Sequence, residues 1–205
     1  MLNLSKGESI AIANSSGSVV NRVRMGLGWK PLLEAKVPGI LGKLLGKTQS
    51  AVAPIDLDAS CILFDKDKKV VDKIYFANLT SRVGKIKHSG DDRTGMGGDK
   101  GVDNESIQVD LSSLPAEVEA IVFVVNSFTG QTFETVGDAY VGLIDEESGE
   151  RFANFNLTSS GKHTAQIMGK MYRHNGGWKF KAIGEAVKVD GRTVEALIGP
   201  SRDCL

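Results

Sequence analysis

Apolar and polar residues alternate along most of this 205-residue chain in short, strand-like runs. Leu2, Leu4, Ile10 and Ile12 alternate with polar neighbours, as in a half-buried strand, whose successive side chains point to opposite faces. Residues 19–29 predict a second strand, with Val23, Met25 and Leu27 on one face and Arg22 and Arg24 on the other. Residues 60–64 and 70–76 are apolar runs separated by Asp65-Lys66-Asp67-Lys68-Lys69, which reads as a hairpin. Residues 107–111, 120–126, 139–144, 151–157, 165–173 and 178–185 continue the pattern. Glu147-Ser148-Gly149, Thr158-Ser159-Ser160-Gly161 and Asn175-Gly176-Gly177 supply turns between them. About ten short strands at this spacing predict an all-β sandwich or barrel rather than βαβ units.

Little helix is expected. Residues 114–119 predict one turn, because Pro115 suits an early helical position, and residues 193–198 predict another. Residues 30–50 differ from their surroundings, with four Lys against one Glu and Gly39, Gly42 and Gly46 among leucines. They read as a basic surface insertion, extending to about residue 54, between two strands. A sharper alternative makes residues 40–45 a short amphipathic helix that meets a partner or an anionic membrane surface.

Composition narrows the function classes. Lys plus Arg equals Asp plus Glu at 25 each, so no global field draws in nucleic acid. The longest strongly apolar stretch, residues 120–125, falls far short of the roughly 20 residues that a membrane helix needs. The first residues lack the basic and apolar regions of a secretory signal, so a cytoplasmic location is expected. Cys61 and Cys204 are too few for a disulfide framework or a four-cysteine zinc site.

Local charge is another matter. From His88 to Glu105 the chain places five carboxylates (Asp91, Asp92, Asp99, Asp103 and Glu105) among five glycines. Glycines let the backbone bend so that oxygens converge, and calcium takes 6–8 oxygen ligands at flexible geometry. Asp56-Leu57-Asp58 adds two carboxylates whose i, i+2 spacing on a strand aims them one way while Leu57 enters the core. So many carboxylates repel one another, and a cation is the natural compensation. The spacing is not that of an EF-hand. A solvated acidic loop is the plain alternative.

Other patterns carry less. Gly42-Lys43-Leu44-Leu45-Gly46-Lys47-Thr48 is one residue short of a phosphate-binding loop, and no strand clearly precedes it. His88, His163 and His174 are too scattered for a zinc site, and no nucleophile elbow is present. Cys61 reads as a core residue, as do Trp29, Phe123, Trp178 and Phe180.

The ordered motifs Asp56-Leu57-Asp58-Ala59-Ser60, His88-Ser89-Gly90-Asp91-Asp92-Arg93-Thr94-Gly95 and Asp103-Asn104-Glu105-Ser106-Ile107 resemble the signature of the TerD family of tellurium-resistance and stress proteins. The likeness continues through Gly26-Leu27-Gly28-Trp29, residues 121–126, Gly130-Gln131-Thr132-Phe133, Tyr172-Arg173-His174 and Gly177-Trp178-Lys179-Phe180. It covers nearly the whole chain outside residues 30–54. The resemblance implies a single β-sandwich domain with calcium bound by acidic loops at one end. It also implies a bacterial, cytoplasmic stress-response protein with no enzymatic reaction. Carried across by position, the implied ligands are Asp56, Asp58, Asp91, Asp92, Asp99, Asp103 and Glu105. This chain departs from the family in having Asp92 where Asn is common, and in stretching the acidic cluster over residues 98–103.

The expected function is therefore a calcium-binding module in which Ca2+ orders the acidic loop for partner interaction. The expected partners are other tellurium-resistance proteins or a membrane-associated complex. One rival is a scaffold whose metal is purely structural and whose contact surface is the basic insertion. A metal-dependent hydrolase is a further rival and needs an open coordination position beside a general base.

Overall fold

The computed structural model describes residues 1–31, 55–94, 102–156, 161–189, 191 and 193–205. Twelve strands lie among them: β1 (Leu2–Asn3), β2 (Ser9–Ala11), β3 (Arg22–Pro31), β4 (Leu57–Phe64), β5 (Val70–Ile74) and β6 (Ile86–His88), then β7 (Glu105–Asp110), β8 (Ala120–Ser127), β9 (Val136–Asp145), β10 (Arg151–Asn156), β11 (Ala165–His174) and β12 (Gly177–Val187). They form two six-stranded sheets, ordered β1-β10-β9-β3-β7-β6 and β2-β12-β11-β8-β4-β5. The β1–β10 pair is parallel and the other pairs are antiparallel. An all-β sandwich is thus the architecture, one of the two that the alternation predicts and the one that the resemblance implies.

The main core lies between the sheets. Val23, Met25 and Leu27 from β3 meet Leu57, Ala59, Cys61 and Leu63 from β4 and Phe123 and Val125 from β8. A second apolar cluster covers the outer face of the β4 sheet, where Ile62, Phe64, Val122, Val124 and Ile167 pack under Val194 and Leu197. Those two residues belong to a 3-10 turn (Val194–Leu197) that runs into a short helix, α1 (Ile198–Asp203). Burial on both faces explains why β4 and β8 read as continuous apolar runs rather than alternating ones. The outer face of the β3 sheet is instead polar and rich in glycine, with Arg24, Gly26 and Gly28 of β3 paired to Ile144, Gly142 and Tyr140 of β9, in that order.

The structure corrects the pattern in places. The expected first strand is two, β1 and β2, which join different sheets. Between them Gly7 adopts φ +89°, and its N–H donates to the Ala182 carbonyl, so the chain crosses from one sheet edge to the other. Residues 114–119 form no helix; the 3-10 turn precedes them at Leu111–Ser113, and Pro115 opens a tight turn closed by the Val118 N–H. The helical expectation for residues 193–198 holds and extends to Asp203. Of the expected basic insertion only Lys30 and Pro31 are described, as the end of β3; its proposed helix at residues 40–45 lies outside the described residues.

Candidate metal centre

Local strand geometry builds the site at one corner of the sandwich. Strand β5 pairs with β4 only from Cys61 to Phe64. Among the described residues the edge of β4 at Ala59 is therefore without a strand partner, and its backbone groups must be satisfied by other means. Two buried side chains from the opposite sheet do so. The Ala59 N–H donates to Glu105 Oε2 at 2.8 Å, and the Ala59 carbonyl accepts from His88 Nε2 at 2.9 Å. The Gly90 N–H donates to His88 Nδ1 at 3.0 Å, so the ring is the neutral tautomer with its proton on Nε2. His88 ends β6 and Glu105 begins β7, so these bonds stitch the two sheets together beneath the acidic loop.

Above this base three carboxylates converge. Asp56, Asp58 and Asp91 place ligand oxygens within 4.8 Å of one another. Asp56 and Asp58 are 5% and 2% exposed, while Asp91 reaches in from the exposed loop. Leu57, between them, is fully buried in the main core, as the i, i+2 spacing predicts. Asp58 faces Asn126 across β8 and accepts from its Nδ2 at 3.2 Å. Asp56 is held through its carbonyl, which accepts the Phe128 N–H at 3.0 Å. Its buried Oδ1 has no hydrogen-bond partner.

The electrostatics leave a cluster whose charge a proton or a cation can relieve. Burial, followed by the charges of Glu105, Asp56 and Asp91, pushes the Asp58 carboxyl up to about 8, against the Asn126 hydrogen bond. Burial and the charges of Asp91 and Glu105 raise Asp56 as well, and Arg93 opposes them weakly. Two like charges within 4.8 Å repel by roughly 3–4 kcal/mol at an effective dielectric constant of about 20. The donor set is all oxygen. Cys61 faces the main core, and His88 has both nitrogens engaged. Such a group fits a hard cation and not zinc, and the orphaned Asp56 Oδ1 is an acceptor in search of one.

The remaining expected ligands are placed differently. Asp92 turns its side chain into the loop, where Oδ1 accepts from the Thr94 N–H and hydroxyl and Oδ2 accepts from Asn104 Nδ2. Glu105 lies under the cluster, with Oε1 accepting the Asp92 N–H and Oε2 the Ala59 N–H. Asp103 sits over the outer face of the β3 sheet, ion-paired to Arg24 at 3.0 Å and Arg151 at 2.7 Å. Asp99 lies outside the described residues. Sequence reading had assigned no role to Asn126, Asn104, Arg24 or Arg151. The available signal was glycine inside strands at 26, 28 and 142, which marks the close approach of another group.

The family model for the TerD domain matches residues 1–196. The chain is 40% identical to the tellurium resistance protein TerZ of Serratia marcescens over 197 residues, covering 96% of this chain and 95% of that one. It is 33% identical to the stress response protein SCP2 of Bacillus subtilis, covering 90% and 92% of the two chains. Its fold matches the crystal structure of a homologue of telluride resistance protein (TerD) from Streptomyces coelicolor, with a TM-score of 0.66 at 18% identity over 87% of this chain and 95% of that one. With the family model spanning nearly its whole length and such relatives beside it, the chain belongs to the TerD family of tellurium-resistance and stress-response proteins.

Proposed function

We propose that the protein is a calcium-binding, non-enzymatic stress-response module of the tellurium-resistance type. Calcium bound by Asp56, Asp58 and Asp91 would fix the exposed end of the acidic loop against the strand end. It would also neutralise that end of the sandwich, and so present an ordered surface to a protein or membrane partner. The observation that carries this reading is the cluster of two buried carboxylates and Asp91, in which Asp56 Oδ1 lacks a hydrogen-bond partner among the described residues. The names of the relatives support the stress-response role. A regulatory metal suits the site better than a hydrolytic one, because the neighbouring imidazole, His88, has both nitrogens engaged and is not free to act as a base.

Calcium that binds only the folded state adds RT ln(1 + [L]/Kd), about 2.7 kcal/mol at a hundredfold excess over Kd. Thermal melting of the protein with calcium and with a chelator tests the proposal. A higher melting temperature with calcium is expected, and superimposable curves would contradict it.

A further inference from the structure

We propose that Arg24, Asp103, Arg151 and Tyr140 form a clamp that sets the affinity of the metal centre, with Asp103 a positioning residue and not a ligand. This rests on the calcium reading above. The Asp103 side chain is only 4% exposed. Its Oδ1 accepts from Arg151 Nη2 at 2.7 Å and from the Tyr140 hydroxyl at 3.2 Å, and its Oδ2 accepts from Arg24 Nη1 at 3.0 Å. Each oxygen is thus committed to cationic or hydroxyl donors.

The sheet beneath is cut to receive this group. A Cβ added at Gly26 would land on the Asp103 carboxylate, one at Gly28 on the Tyr140 ring, and one at Gly142 on the Arg151 guanidinium. The Arg151 guanidinium also lies 4.9 Å from the centre of the Tyr140 ring, a cation–π contact. Three glycines in the middle of strands are unfavourable for strand stability, and here they make the space that lets Asp103 lie flat on the sheet.

Three consecutive residues carry the clamp to the metal centre. Asp103 is held by the arginines. Asn104 follows: its N–H donates to the Leu27 carbonyl at 2.8 Å, its Oδ1 accepts the Trp29 N–H at 3.0 Å, and its Nδ2 donates to Asp92 Oδ2 at 2.7 Å. Glu105 accepts the N–H groups of Asp92 and Ala59. Asp92 is therefore tied by backbone and side chain to the segment that the clamp anchors, and Asp91 is its neighbour. Asp56 and Asp58 are placed by β4, but Asp91 stands on the loop, so its position relative to them depends on this chain of bonds. Groups that orient a metal ligand without touching the metal typically change affinity 10–100-fold when removed.

The test uses calcium affinity together with the luminescence lifetime of bound terbium in H2O and D2O, which counts the waters on the ion. Gly26→Ala and Gly142→Ala keep every carboxylate and every charge but evict Asp103 or Arg151. Both contacts are with the far ends of flexible side chains, so these variants fold. Each is expected to weaken calcium binding about tenfold, as is Asp103→Asn. The number of waters on terbium stays at the wild-type value in all three, whereas Asp58→Asn adds about one as a ligand is lost. The double variant Gly26→Ala/Asp103→Asn is no weaker than Asp103→Asn alone, because both remove the same clamp.

An added water in Asp103→Asn would make Asp103 a ligand and overturn the proposal. Wild-type affinity in Gly26→Ala and Gly142→Ala would overturn it too, while leaving the calcium reading intact. If the wild-type protein binds neither ion, both readings fall together. Should Asp103→Asn fail to fold, the two glycine variants and Tyr140→Phe decide the question by the same measurements.

Discussion

Asp103 and the cluster of Asp56, Asp58 and Asp91 meet opposite fates, although Asp103 and Asp91 come from the same acidic segment. Asp103 is enclosed by two guanidinium groups and a phenol, which take up its charge and its lone pairs. Burial and that neighbouring carboxylate raise the Tyr140 phenol, which keeps it a donor. Asp56, Asp58 and Asp91 meet each other, and below them Glu105, with Arg93 the cation set against them among the described residues. Burial alone therefore does not identify a metal ligand. What separates the two groups is whether the protein supplies the opposite charge. Where it does, the carboxylate is a structural anchor; where it does not, a proton or a cation must complete the site.

This contrast can be broken or sharpened by experiment. The largest effect expected is on calcium stabilisation, about 2.7 kcal/mol at a hundredfold excess over Kd. Asp58→Ala should abolish the calcium-dependent rise in melting temperature, while Asp103→Asn should retain it at higher calcium. Equal losses in the two variants would erase the distinction between ligand and anchor.

Next in size is the effect of Asp103→Ala on the fold itself. It leaves Arg24 and Arg151, 30% and 23% exposed, without their shared partner. Partial exposure places the loss below that of a fully buried pair, at about 2 kcal/mol. A fall of roughly 4–8 °C in melting temperature is expected in chelator, and a larger one in calcium because the clamp also sets the affinity. A fall seen only with calcium would mean that Asp103 belongs to the metal centre.

The last effect has the opposite sign. The Asp58 carboxyl is raised from 3.8 to about 8 in the folded chain. Its contribution to stability is therefore fully present below about 3.8 and is lost as pH rises through about 8. In chelator the wild-type protein should lose stability over that window. Asp58→Asn, which carries no charge to bury, should lose less and be the more stable protein at pH 8. Parallel pH profiles for the two proteins would show that Asp58 is not strained in the metal-free state.

Much of the sandwich was legible because alternation and turn chemistry repeat along the chain. Val23, Met25 and Leu27 face the core as their spacing requires. Strand β6 was missed because Ile86-Lys87-His88 offers a single alternation, too short to show a period. The division of residues 2–12 between two sheets turns on Gly7, whose φ of +89° no hydrophobic pattern records. At the candidate metal centre, Asp56 and Asp58 were legible from a strand with period two. Asp91 was legible only as one acid among several. Its separation from Asp103 depends on Arg24 and Arg151, which come from other strands and enter only through the register of the β3 sheet. Long-range pairing of this kind leaves its trace in sequence as glycines, not as charges.

Asp56, Asp58 and Asp91 are proposed as a calcium site whose charge is otherwise relieved by a proton on Asp58. Calorimetric titration of the metal-stripped protein with calcium at pH 7, in two buffers of different ionisation enthalpy, tests both halves at once. The account predicts saturable binding with a heat that differs between the buffers, because a proton leaves as calcium enters, and loss of that binding in Asp58→Asn. Absence of calcium binding by the wild-type protein, or undiminished binding by Asp58→Asn, would contradict it.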